Sequence, residues 1–394
     1  MATEPATRSE PAPAVRWAGL IAAMAAICAV GVAIGLGLPL LSVIMERRGI
    51  SASMIGLNTA TAGLASIAAA PLAPFLARRF GVIRVMVASL VLAAASALAF
   101  YAAEPFWTWF PLRMAFHGAI TVVFILSEFW INDVAPAHRR GFVLGIYGTV
   151  LSLGFAAGPA IVSLIGSQGV LPFAVGAAII LVSAIPIALA ARDAPLITSH
   201  PTKPFLRYIW LVPTATGAVF VFGAVEAGGL AFFPVYAGQI GFAENQGALL
   251  LTAIGLGNVL FQIPIGFVAD RFGNRRALLA ILAAIGLAGS LALPHLNENW
   301  WLLAGVLFVW GGVVCGLYTV GLTHLGATLK GADLASANAA FILCYAMGAL
   351  IGPQTIGIAM DIQGPTGFAT ALGFFFLLYV TLSLGRIVLG PRRG

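Results

Sequence analysis

From Trp17 to Ile44 the chain runs for 28 residues without a single Asp, Glu, Lys or Arg, and similar stretches recur to its end. A helix needs about 20 apolar residues to cross a bilayer, because the backbone must satisfy its own hydrogen bonds where no water reaches. Charged residues make up 8% of the sequence, against about 25% in a soluble domain, too few to cover a water-facing surface. That excludes a soluble globular enzyme, and 61% apolar residues exclude a disordered chain. The pattern predicts an all-α polytopic membrane protein with twelve transmembrane helices. They are expected near 17–44, 53–77, 82–103, 106–132, 142–166, 170–191, 209–237, 246–269, 276–296, 300–326, 334–360 and 366–389. Cys28, Cys315 and Cys344 all fall inside these stretches, so no disulfide is expected.

Residues 1–16, with Pro5, Pro11 and Pro13, read as a disordered cytoplasmic tail, and the stretch that follows is too long for a signal-peptide core. With both termini in the cytoplasm, the 20 Lys and Arg divide as 17 inside, two outside (Arg47, Arg48) and one within a span (Arg113). The positive-inside rule predicts that split, and it places the chain in the inner (plasma) membrane. The net charge of +7 then records topology and contact with anionic membrane lipid; no loop is basic enough to bind nucleic acid. The longest connection carries Pro195, Pro201 and Pro204. It divides the chain into a first half over 17–192, a cytoplasmic linker over 193–208 and a second half over 209–394, and a monomer is expected.

Sliding the sequence on itself by 192 residues aligns spans 1 and 2 with spans 7 and 8 without a gap. Gly31 meets Gly223, Gly37 meets Gly229, Gly49 meets Gly241, and the polar loop Arg79-Phe80-Gly81 meets Arg271-Phe272-Gly273. Two like six-helix halves about a pseudo-twofold axis leave a cavity between them near the bilayer midplane, which is a transporter arrangement.

The loop from Gly266 through Asp270, Arg271 and Gly273 to Arg276 resembles the signature of the major facilitator superfamily, and the similarity covers nearly the whole chain. The run Asp133 to Gly141, with Pro136, Arg139 and Arg140, is similar to that family's acidic-x-x-Pro-x-x-x-Arg-Gly loop between spans 4 and 5. Gly145, Gly154 and Gly158-Pro159 resemble the Gly-Pro signature of its drug:proton antiporters. Gly348 and Gly352-Pro353 repeat that element in span 11, so it also reads as a mark of close helix packing and a Pro-induced bend.

An ATP-driven pump needs a phosphate loop ending in Lys followed by Ser or Thr. Lys203 precedes Pro204 and Lys330 precedes Gly331, so neither fits. No cofactor or metal signature is present. Transport on a gradient needs ionisable groups in low dielectric, where a carboxyl can take and release a proton. The spans hold Arg113, His117 and Glu128 in span 4, Glu226 in span 7 and His324 in span 10. The resemblance implies that spans 1, 4, 7 and 10 line the cavity. At 100° per residue Arg113, His117 and Glu128 share one narrow face of span 4. Depth counting places Arg113 roughly 9 Å and Glu226 roughly 5 Å to the outer side, so that the two meet across the cavity. The same count sets Glu128 and His324 toward the inner side as candidates for a gate. Each also has a plain structural reading as a paired or packing residue; Asn58, Asn258, Gln262 and Asn338 read chiefly as bonds between helices.

The resemblance further implies that Asp270 faces the start of span 5 near Arg139 and Arg140, stabilising the inner gate through the positive helix end. The first half has Arg78 where the second has Asp270. A gate bond of reversed polarity, Arg78 with Asp333, is therefore expected, unless Arg78 serves orientation alone.

The expected function is secondary active transport by alternating access, with protons exchanged for a small, partly apolar solute leaving the cell. The alternative is proton symport or facilitated uptake of a small organic anion, with Arg113 and His117 as the anion's partners. A membrane-embedded enzyme is the third reading; neither His-Glu-x-x-His nor Gly-x-Ser-x-Gly occurs.

Overall fold

Local chemistry sets where the helices start and stop. Ser51, Asn274 and Asn299 cap three of them by accepting the backbone N–H of Met54, Ala277 and Leu302. Gly49 and Gly241 end the first and seventh spans at φ 74° and 96°, a region that L side chains rarely enter. Both ends close the same way: Ile50 donates to the Met45 carbonyl and Phe242 to that of Ala237, at 3.1 and 3.0 Å. The 192-residue repeat is thus a repeat of geometry.

The computed structural model describes residues 16–136, 140–195, 206–329 and 331–388, without the side chains of 140, 141, 270, 331, 332, 334–336, 387 and 388. Twelve helices in these ranges are long and apolar enough to cross a bilayer. They are span 1 (Trp17–Arg47), span 2 (Ala52–Phe80), span 3 (Val82–Ala102), span 4 (Phe106–Val134), span 5 (Phe142–Ile165), span 6 (Leu171–Leu189), span 7 (Pro213–Gln239), span 8 (Glu244–Ala269), span 9 (Arg275–His295), span 10 (Trp300–Thr328), span 11 (Ala337–Gln363) and span 12 (Thr366–Arg386). Spans 1 and 2 run about one turn past their expected ends, so Arg78 and Arg79 belong to a helix and not to a loop. Span 6 breaks at Ser183 because Pro186 has no N–H with which to continue the ladder. Twelve crossings bring Trp17 and Arg386 to one face, the terminal face; the other is the distal face.

The tail and linker are more ordered at their ends than expected. Arg16, assigned to the disordered tail, pairs with Asp133 at 2.8 Å, and Asp193 accepts the Gly19 backbone N–H at 3.2 Å. Residues 196–205 lie outside the described residues.

Small residues let the helices approach. Gly158 of span 5 lies against Gly35 of span 1, where a methyl group would sit 2.2 Å from the Gly35 carbonyl carbon. Gly352 of span 11 lies against Ala224 of span 7, where a methyl would sit 2.3 Å from the Ala224 oxygen. The two Gly-Pro elements thus make matching contacts, one in each half. Between the halves, span 2 packs on span 11, span 5 on span 8, and span 1 on span 7.

Candidate functional site

Span 7 begins at Pro213, four residues later than expected, which moves Glu226 from the outer side to the middle of its helix. Its Oε2 accepts the Tyr345 hydroxyl of span 11 at 2.5 Å. Glu226 opens on a cavity of about 60 Å³ whose other walls are apolar or aromatic, among them Phe222, Phe233 and Trp310, with Asn258 as a second polar group. This volume is far below the ~300 Å³ at which a pocket encloses a drug-sized ligand. A solute of that size enters only when the walls part. The cavity is not centred between the halves: spans 7, 8, 9, 10 and 12 surround it and Phe155 of span 5 closes it.

Arg113 does not meet Glu226. It is fully buried roughly 10 Å to the distal side of the middle of span 4, and its Nε donates to the Oδ1 of Asn58 in span 2 at 2.8 Å. The expected pair fails because each group has a closer partner inside its own half. His117, one turn away, is 5% exposed; its ring lies beside the Arg113 backbone carbonyl without reaching full hydrogen-bond geometry. Neither Arg113 nor His117 lines the cavity at Glu226.

Glu128 lies toward the terminal face, one residue from Ser127, whose hydroxyl bonds the Tyr147 hydroxyl at 2.7 Å. Half-buried Tyr318 of span 10 lies in the field of both Glu128 and Glu226, and its ring meets that of Tyr345 edge-on at 6.4 Å. Glu226, Tyr345 and Tyr318 thus form a run of contacts, and Glu128 lies further toward the terminal face. His324 lies in the field of Arg276 and Arg275 of span 9, and among the described residues no hydrogen bond or ion pair joins it to Glu128.

Arg78 is exposed at the end of span 2, and no ion pair joins it to Asp333, whose Oδ1 accepts the Tyr208 hydroxyl at 2.6 Å. The reversed gate bond is absent from this conformation. Arg139 and the side chains of Arg140 and Asp270 fall outside the described residues, so the contact expected between them does too. Arg271 and Arg276 flank the loop between spans 8 and 9, and Arg276 accepts a bond from the Ser383 hydroxyl through its backbone carbonyl.

The halves are instead joined at the distal face. Asp361 of span 11 accepts the backbone N–H groups of Ala52 and Ser53, the first residues of span 2, at 2.8 and 2.9 Å. Arg47 pairs with Glu244, and Gln239 donates to Glu46 at 3.2 Å. Sequence reasoning missed Tyr345 and Asp361. The available signals were a lone tyrosine near the middle of span 11 and an acid at the far end of the same helix.

The sequence profile of the Major Facilitator Superfamily matches residues 21–243 and 215–393. The uncharacterized MFS-type transporter YfkF of Bacillus subtilis (strain 168) is 29% identical over 366 residues, 90% of this chain and 89% of that protein. The uncharacterized MFS-type transporter YcaD of Escherichia coli (strain K12 / DH10B) is 23% identical over 65% of this chain and 66% of its own length. Among solved structures, a mutant of the nucleoside transporter NupG superposes with a TM-score of 0.77 at 14% identity, over 96% of this chain and 100% of that one. A D-xylose–proton symporter superposes at 0.71 with 16% identity, over 94% and 97%.

Proposed function

Because the chain belongs to the major facilitator superfamily and is a membrane transporter of that type, we propose that it exchanges protons for a small, partly apolar solute. Export is by alternating access, with the terminal face in the cytoplasm. The observation that carries this reading is Glu226: a carboxyl at the middle of its helix, facing an apolar cavity and bonded to a single neutral hydroxyl. In such surroundings a neutral carboxylic acid is tolerated and a lone carboxylate is not, so occupation of the cavity and protonation compete for the same group. Protonation from the outside releases the solute; loss of the proton toward the cytoplasm resets the site. Tyr345, Tyr318 and Glu128 supply a route for that proton. The aromatic walls accept the apolar part of the solute, while Asn258 and ionised Glu226 accept its donors. The cytoplasmic assignment of the terminal face rests on the distribution of Lys and Arg.

Purified protein is screened against solutes by thermal shift, and a hit is then followed in proteoliposomes under an imposed pH gradient. The wild-type chain is expected to accelerate transport with the gradient, and Glu226→Gln to lose that acceleration. Full gradient dependence in the Glu226→Gln protein would refute the reading.

A further inference from the structure

Arg113 is enclosed within the hydrophobic part of the protein, yet Asn58 satisfies only its Nε. Both terminal guanidinium nitrogens, the Nδ2 of Asn58 and both ring nitrogens of His117 have no hydrogen-bond partner among the described residues. On Arg113 and Asn58 alone, about six N–H groups are left without an acceptor. A cation in low dielectric with neither counter-charge nor acceptors is strongly unfavourable.

The neighbouring carboxylates do not supply the missing charge. Glu226 is bonded to Tyr345, and Glu128 lies roughly 22 Å along the same helix from Arg113. The cluster is also confined to the first half. The repeat sets Leu250 against Asn58, and the distal half of span 10, Trp300 to Val314, holds no ionisable residue. The shared fold therefore does not explain it.

Toward the distal face Arg113 is covered by an aromatic ring and a cation. Trp109 lies one turn from Arg113 toward that face, and the Arg48 guanidinium stands over its ring at 4.7 Å. Arg48 also donates to the carbonyls of Ala103 and Glu104, both at 3.3 Å, and holds this cover in place.

We propose that Arg113, Asn58 and His117 form an anion site, reached from the distal face past Arg48 and Trp109, for a halide ion or for the carboxylate of a carried solute. The guanidinium fork receives the anion side-on, and the Asn58 amide and one His117 N–H complete the shell. The site is separate from the cavity at Glu226 and does not depend on the role assigned to that residue.

The test is thermal unfolding of the purified full chain at constant ionic strength, with isethionate replaced stepwise by chloride, bromide or acetate. Wild-type protein is expected to gain about 2 °C or more between 1 and 100 mM of the bound anion. A response to chloride and bromide identifies a free ion, and a response to acetate alone identifies a solute-borne carboxylate. Identical melting in every salt overturns the proposal. Asn58→Asp builds a carboxylate against the Arg113 Nε; it is expected to melt higher in isethionate and to lose the anion response at least tenfold. An unchanged response in that variant also overturns the proposal. Glu226→Gln is expected to keep the response, which separates failure of this site from failure of the proton site.

Discussion

The carboxylate of Asp361 accepts the backbone N–H of Ser53 at 2.9 Å, so the last turn of span 11 caps the first turn of span 2 in the opposite half. A negative group at a helix N-terminus satisfies unpaired N–H donors and meets the positive end of the helix dipole. The bond therefore stabilises the distally closed arrangement alone, since it exists only while the halves touch there.

Asp361→Asn removes the charge and keeps the shape. It is expected to weaken distal closure by about 1 kcal/mol, a population shift of roughly fivefold. A cysteine at Ile55, 1% exposed in the closed arrangement, reports this: its labelling by an impermeant maleimide from the distal side should rise in the Asn variant.

Tyr345→Phe deletes the hydroxyl bonded to Glu226 and leaves the ring packed against Tyr318. Loss of a bond to a buried carboxyl costs about 1–3 kcal/mol. A lower melting temperature is expected in the Glu226 background and almost none of that loss in the Glu226→Leu background, which has no acceptor, a double-mutant comparison made by thermal unfolding.

Gly158→Ala drives a methyl group into the Gly35 backbone, which has no flexible end to swing away. Overpacking of this kind costs about 1–3 kcal/mol. Ala at Gly145, which has open space around it, is expected to be neutral in the same thermal measurement.

The Arg16–Asp133 pair is 42% and 41% exposed, so solvent screens it. A double-mutant cycle with Arg16→Ala and Asp133→Ala is expected to give a coupling below about 1 kcal/mol, falling further in 1 M salt.

The fold was legible because each span needs only length and apolar composition, and because the repeat carries its register through Gly49 and Gly241 into identical helix ends. Glu226 was legible for a related reason: a lone carboxyl in an apolar helix stands out. Its partner was not. Which residue meets Glu226 depends on how spans 7 and 11 rotate against each other, and neutral Tyr345 gives no charge signal, whereas Arg113 gives a strong and misleading one. Depth counting failed through a local cause, the separation of Arg207–Leu211 from the helix that starts at Pro213. Asp361 escaped notice because its partners are backbone N–H groups, which leave no mark in side-chain chemistry.

Phe155 is the one first-half side chain among the described residues that lines the cavity at Glu226. Under the proposed cycle the passenger stays seated in one bundle while the other swings across it like a shutter. On that reading, substitutions in the cavity walls from spans 7, 8, 9, 10 and 12 are expected to change what is carried, and substitutions of Phe155 how quickly it leaves.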